Sequence, residues 1–203
     1  MDPSIAFFDT QFRHQAQQGV CQLNPFEQQA LPYLRGDVLD LGCGMGNLAF
    51  AAAAQGCTVT ALDGSPAAIE HLRGRAASQA LAVTPALADL RHYRIERTYD
   101  AVVAIGLLMF FDCTTALRVL AGLQAAVRPG GHAVVNVLVQ GTTYLDMFDP
   151  QGYCLWPADA LPTHFAGWQI EQHEHREFAA PGGTRKCFAT LIARKPGAPL
   201  VAL

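Results

Sequence analysis

Three aspartates, Asp40, Asp63 and Asp89, stand at the ends of successive apolar runs in this 203-residue chain. Asp40 lies two residues before a glycine-rich turn, in Val38-Leu39-Asp40-Leu41-Gly42-Cys43-Gly44-Met45-Gly46-Asn47. Alternating glycines let the backbone turn tightly and let a ligand approach without a Cβ in the way. Asp63 closes Val59-Thr60-Ala61-Leu62 and precedes Gly64 and Ser65. It follows the glycine turn by about 20 residues, the length of one helix plus one strand, and a carboxylate there accepts both hydroxyls of an adenosine ribose. Asp89, followed by Leu90, closes a third run, where its carboxylate can accept from an adenine amino group.

The same residues exclude competing ligands. A dinucleotide loop reads G-x-G-x-x-G, but Gly46 comes one position early and Asn47 occupies the place of the third glycine. Asp40 would repel a pyrophosphate and suits a cationic or zwitterionic ligand. No Gly-Lys-Ser/Thr follows the glycines, so a phosphate-cradling P-loop is ruled out. S-adenosylmethionine (SAM), with a sulfonium, an amino group and no phosphate, fits this pattern.

Short β runs alternating with longer helical stretches must position these residues, which predicts a parallel sheet covered by helices. The strands are Val38–Leu41, Thr58–Leu62, Ala82–Ala88, Tyr99–Ile105 and His132–Val139, with helices at Asn47–Gln55, from Pro66, and at Thr114–Val127. Arg128-Pro129-Gly130-Gly131 reads as a sharp turn. Gln140–Pro157 reads as an irregular loop over one end of the sheet, in which Tyr153 and Trp156 form either a lid or packing. A short helix follows around Ala158–Phe165. Trp168–Phe178 and Thr184–Arg194 flank Ala179-Ala180-Pro181-Gly182-Gly183 as an antiparallel hairpin with a long turn. The tail Pro196–Leu203 has no periodicity and is expected to be mobile.

Composition narrows the class. Only 15% of residues are charged, the net charge is −3, and the 14 Lys and Arg residues are scattered, so no basic stripe invites nucleic acid. The longest apolar runs, Ala101–Phe111 and Ala133–Val139, fall short of the about 20 residues that span a bilayer. Met1–Gln18 lacks the long apolar core of a secretion signal, and the six cysteines, Cys21, Cys43, Cys57, Cys113, Cys154 and Cys187, form no C-x-x-C pair. They read as reduced thiols in a cytoplasmic protein. His173 and His175 share a strand face, but a metal site would need further ligands, so none is assigned.

Leu-Asp-Leu-Gly-Cys-Gly-Met-Gly (Leu39–Gly46), Ala61–Pro66, Ala88-Asp89-Leu90, Tyr99–Val103 and Arg128–Gly131 together resemble the motifs of the class I SAM-dependent methyltransferases. The resemblance covers about Asp37 to Val139. It implies a Rossmann-like α/β sandwich with a seven-stranded sheet in the order 3-2-1-4-5-7-6 and strand 7 antiparallel. No internal repeat or long linker appears, so the chain reads as one domain, with a helical cap over 1–36, a SAM-binding core over 37–139 and an acceptor-side loop and hairpin over 140–195. By the same resemblance Asp63, with Gly64 and Ser65, binds the ribose, and Asp89 and Leu90 bind the adenine. Asp40, Gly42, Cys43, Gly44, Gly46 and Asn47 hold the methionyl part, and Ile105 offers its carbonyl beside the cofactor. The product from SAM would be S-adenosylhomocysteine (SAH).

A narrower resemblance, through Leu107–Phe111, Phe165–Trp168, His175-Arg176 and Phe188–Lys195, is to the tellurite-resistance methyltransferases. It implies a chalcogen oxyanion or thiol as acceptor, with His175, Arg176 and Arg185 at the acceptor site. Alternatives are an organic O or N acceptor, with no dependence on the arginines, and a SAM-binding domain without catalysis. Arg176 and Arg185 could equally pair with Glu174 or Glu177 on a solvated hairpin. The N-terminal segment, with Phe7, Phe8, Phe12 and Asn24-Pro25-Phe26-Glu27, is expected to form helices that cover the cofactor or pair subunits, leaving monomer and homodimer both open.

Overall fold

Val38, Leu39 and Leu41 are buried, as are Val59, Ala61, Leu62 and the run Ala101–Ala104. Strands this apolar on both faces belong in the middle of a helix-covered parallel sheet. The computed structural model describes residues 3–18 and 22–197 and shows that sheet. Its strands are β1 (Asp37–Leu41), β2 (Thr58–Asp63), β3 (Val83–Leu87), β4 (Tyr99–Ile105), β5 (Val127–Leu138), β6 (Gln169–Ala180) and β7 (Thr184–Arg194). They lie in the order β3-β2-β1-β4-β5-β7-β6, with β7 antiparallel to both neighbours, as the resemblance implied.

The helices are α1 (Pro3–Gln18), α2 (Pro25–Ala30), α3 (Asn47–Ala54), α4 (Pro66–Gln79), α5 (Cys113–Ala126) and α6 (Ala160–His164). Alternate strand residues feed two cores. Leu39, Val102 and Ala104 pack with Leu120 and Leu123 of α5, while Val38, Val59 and Val103 pack with Leu48 and Phe50 of α3 and Ile69 and Leu72 of α4. Each fully buried Leu or Val contributes about 1.5–3 kcal/mol relative to exposure. Caps set the helix starts. Ser65 accepts from the Ala68 N–H ahead of α4, and Asp112 accepts from the Thr115 N–H ahead of α5. Among the described residues, no helix is long and apolar enough to cross a membrane.

Three expectations are corrected. Arg128–Gly131 is not a free turn but belongs to β5, bulged between the pairs Tyr99↔Val127 and Ala101↔His132. The Arg128 guanidinium draws it inward, donating to Asp100 at 2.8 Å and to Asp37 at 3.0 Å. Gly131 is required there, because a Cβ would meet the Asp100 carbonyl oxygen at 2.5 Å. The hairpin turn is short rather than long: pairing continues to Ala180↔Thr184, and only Pro181–Gly183 turns, fastened by the Thr184 hydroxyl donating to the Pro181 carbonyl. The cysteines are not all reduced thiols. Cys113 and Cys154, 41 residues apart, form a disulfide, because a Cys154 N–H bond to the Met109 carbonyl seats that loop against the start of α5. Cys43, Cys57 and Cys187 are free. The thiol argument for a reducing compartment therefore loses one of its grounds. Cys21 and the tail 198–203 lie outside the described residues.

Candidate functional site

The glycine turn folds over the end of β2. The Gly42 and Cys43 N–H groups donate to the Leu62 carbonyl at 2.8 and 3.0 Å, which directs the following residues toward Asp63. The Asp63 carboxylate accepts from the Gly44 N–H and the Ser65 N–H, both at 2.8 Å. Gly46, at φ +71°, ends the turn in a left-handed conformation, and a Cβ there would meet Leu72 Cγ at 2.8 Å. These bonds leave a cavity of about 450 Å³ above the ends of β1, β2 and β4.

Asp40, Gly42, Cys43, Gly44, Asn47, Asp63, Gly64, Ser65, Asp89, Leu90 and Ile105 all line this cavity. Gly46 does not; it holds the turn against Leu72. Asp40 is only 5% exposed and accepts no hydrogen bond among the described residues. Burial, with the charges of Glu27 and Asp63 nearby, pushes its carboxyl up to about 8. Burial also raises Asp63, against the N–H groups of Ser65, Gly44 and Gly64. Asp89 is held low by its bond to His92 Nδ1 at 2.8 Å. A buried, unpartnered carboxyl whose ionisation is suppressed is a site for a cationic group, which restores its charge. The donor set therefore fits the ammonium and sulfonium of SAM, with Asp63 free to bridge a diol.

The N-terminal helices complete the cavity. Asp9 of α1 accepts from the Ser65 hydroxyl at 2.6 Å and from the Ala67 N–H at 2.9 Å, fixing α1 across the start of α4. Phe8 and Phe12 thereby reach the cavity, and Phe8 meets Phe110 edge to face at 5.0 Å. Phe110 in turn contacts Phe148, which stacks on Tyr153 at 4.7 Å. On the other side, Phe26 of α2 packs between Phe178 and Phe188 of the β6–β7 hairpin, and Asn24 and Glu27 line the cavity. The capping box of Asn24 and Glu27 is legible in the chain, but its arrival at the cavity depends on contacts far away in sequence. Trp156 is core, 2% exposed, rather than lid.

His175, Arg176 and Arg185 are not among the residues lining the cavity. Arg176 forks onto Glu174 of its own strand at 2.7 and 3.0 Å, and Gln29 of α2 donates to the same carboxylate at 3.0 Å. Arg185 donates from Nε to the Gly141 carbonyl at 3.0 Å. The His175 ring stands 4.8 Å from that of His173. The only cationic side chain on the described lining is Arg91, whose guanidinium donates to the Phe110 carbonyl at 3.1 Å and faces the Phe111 ring.

Residues 38–131 match the methyltransferase domain family. A ubiquinone biosynthesis O-methyltransferase of Alkalilimnicola ehrlichii is 30% identical, the match covering 84% of this chain and 77% of the relative. The probable S-adenosyl-L-methionine-dependent methyltransferase TehB of Haemophilus influenzae is 26% identical over 78% of this chain and 57% of its own. The crystal structure of TehB from the same species superposes with a TM-score of 0.75 at 19% identity, covering 89% of this chain and 65% of that one. The chain spans little more than half the length of the first curated relatives it matches, 54% to 57%.

Proposed function

The chain belongs to the class I SAM-dependent methyltransferases, and from that premise we propose that it transfers the methyl group of SAM to a small organic acceptor in this cavity. The observation that carries the reading is the pairing of a backbone-clamped Asp63 with a buried, unpartnered Asp40 on one cavity wall. SAM is the cofactor of this family, and SAH is its product.

When bound, SAM supplies a methyl group on a positively charged sulfur whose departure leaves a neutral thioether. The protein's work is then to bind, align and exclude water, with no nucleophilic residue or metal required. Asp63 accepts the ribose hydroxyls, with Gly64 and Ser65 shaping the turn beneath. Asp89 and the Leu90 backbone face the adenine, and Ile105 adds its backbone beside it. Asp40 meets the cationic end, while Gly42, Cys43, Gly44 and Asn47 flank the methionyl chain. Phe8, Phe12 and Phe110 shut out water from above, so that α1 serves as a cap on the cavity.

For the acceptor, the resemblance favours a chalcogen oxyanion or thiol, and the geometry favours an organic oxygen or nitrogen. An oxyanion calls for His175, Arg176 and Arg185, which engage partners outside the cavity. A phosphate backbone calls for several cations where the described lining offers Arg91, which favours a small molecule as acceptor. The test is incubation with methyl-labelled SAM and a panel of tellurite, selenite, thiols, phenols and amines, alongside calorimetric binding of SAH. SAH binding with label on an organic acceptor is the expected result. Binding without transfer to any acceptor would make this a SAM-binding domain without catalysis, and absence of SAH binding would overturn the proposal.

A further inference from the structure

The charges of the cavity and the direction from which each arrives identify the acceptor more closely. Asp89 follows β3, Asp63 is the last residue of β2 and Asp40 the last but one of β1, along the edge assigned above to adenine, ribose and the cationic end of the donor. Glu27 enters from the opposite side. Its helix, α2, is held to the β6–β7 hairpin by Phe26 between Phe178 and Phe188, and by Gln29 bonded to Gln172 and Glu174. Glu27 therefore reaches the cavity on a helix anchored to the hairpin, close enough to Asp40 for its charge to oppose ionisation of that carboxyl. One carboxylate oxygen, Oε2, accepts from the Asn24 N–H at 2.7 Å, and Oε1 has no bond among the described residues.

Resting on the methyl-transfer reading above, we infer that the acceptor is an organic amine and that Glu27 is the carboxylate that receives its ammonium group. Two observations carry this. Asp40, nine-tenths buried and unpartnered, already supplies the carboxylate that a cationic donor needs, so Glu27 is a second acid on the lining. And the single cation on the described lining, Arg91, donates to the Phe110 carbonyl and faces the Phe111 ring, two residues after Asp89. An anionic acceptor would meet acids on this side, whereas an ammonium group would relieve their mutual repulsion.

The chemistry balances. The ammonium gives one proton to Glu27 Oε1, and the freed nitrogen lone pair forms the N–CH3 bond. The S–CH3 bond breaks with its electron pair left on sulfur, and the proton on Glu27 passes to solvent as the methylated ammonium leaves. Burial raises the Glu27 carboxyl, which strengthens it as the proton acceptor. The neighbouring acid on the cavity wall is Asp40, whose ionisation Glu27 itself opposes.

The experiment is calorimetry on the full chain, first with SAH and then, on the SAH-saturated protein, with benzylamine, phenethylamine and butylamine. Benzyl alcohol, 2-phenylethanol and butanol serve as matched neutral probes, and potassium tellurite as the anionic one. The amines are expected to bind roughly tenfold or more tighter than their alcohols, as charge-assisted bonds outweigh neutral ones. Glu27→Gln, whose amide oxygen can still accept from the Asn24 N–H, should bring that ratio to within about twofold while SAH affinity is kept. Failure of SAH itself to bind would remove the cofactor reading and this inference with it. SAH binding without amine preference, or with tellurite preferred, overturns the amine inference alone. Should the Gln variant not fold, the wild-type ratio of amine to alcohol decides the matter by the same criterion.

Discussion

The strand-end edge of the cavity and the C-terminal hairpin both present charged side chains at regular intervals, but they hold them differently. At the strand ends, Asp63 is fixed by two backbone N–H groups, and Asp40 is enclosed by the sheet. Their positions follow from the fold of β1, β2 and the glycine turn, and neither carboxylate is neutralised by a protein cation. On the hairpin, Arg176 and Glu174 satisfy each other, the pair raising Arg176 and lowering Glu174. Charges answered by each other leave nothing for a ligand; charges held by backbone and left unanswered define a site. The same residue types thus line a cavity at one place in the molecule and protect a sheet edge at another, where charged side chains discourage further strand pairing.

The sharpest way to break this contrast is to remove Asp63. Asp63→Ala deletes the acceptor proposed for the ribose hydroxyls and frees the Gly44 and Ser65 N–H groups. Hydrogen bonds to charged groups contribute about 1.5–3 kcal/mol each, so SAH affinity should fall roughly 100-fold or more by calorimetry. Retention of affinity within about tenfold would mean that the backbone-clamped acid is structural and the ligand lies elsewhere.

Asp40 sharpens the comparison through pH. In the folded protein its carboxyl holds a proton up to about 8, against 3.8 for the ordinary group. Between those values the folded state binds more protons than the unfolded one, so this contribution to stability is present at low pH and is lost as pH rises toward the folded value. The slope is at most ~1.4 kcal/mol per pH unit. Urea unfolding of the ligand-free protein at pH 6 and 7 should show stability falling with pH, and Asp40→Asn should flatten that fall. An unchanged slope in the variant would show that Asp40 ionises freely and is not the enclosed acid described here.

Local sequence carried one side of this contrast and not the other. The glycine turn, Asp63 after one helix and one strand, and Ser65-Pro66 at a helix start are fixed by neighbours within a few residues, so the strands and the residues gathered along that edge were readable. On the hairpin the Arg176–Glu174 pair, two residues apart, was among the readings of the chain, but Gln29 meeting Glu174 and Arg185 meeting Gly141 are pairings across more than 40 residues. Sequence spacing could not supply them. The Cys113–Cys154 bond escaped for the same reason, since it requires the loop to sit on Met109. Arg128–Gly131 has turn composition, but Asp37 and Asp100 draw it into β5 as a bulge. Phe8, Phe12 and Glu27 reach the cavity only because Asp9 and Phe26 dock their helices on distant elements.

The smallest expected effect is at the hairpin, and it bears most directly on the acceptor. Arg176→Ala removes a guanidinium that spans Glu174, while Arg185→Ala removes one bonded to a loop carbonyl. Exposed pairs of this kind contribute little, because solvent screens them and holding two long side chains costs entropy. Neither variant should change SAH affinity, or label transfer to an organic acceptor, by more than about twofold. The informative outcome is a split. If transfer falls steeply in Arg176→Ala while SAH binding holds, the guanidinium must leave Glu174 and swing toward the acceptor during turnover. The hairpin would then be a second wall of the site, and the oxyanion reading would regain its cation.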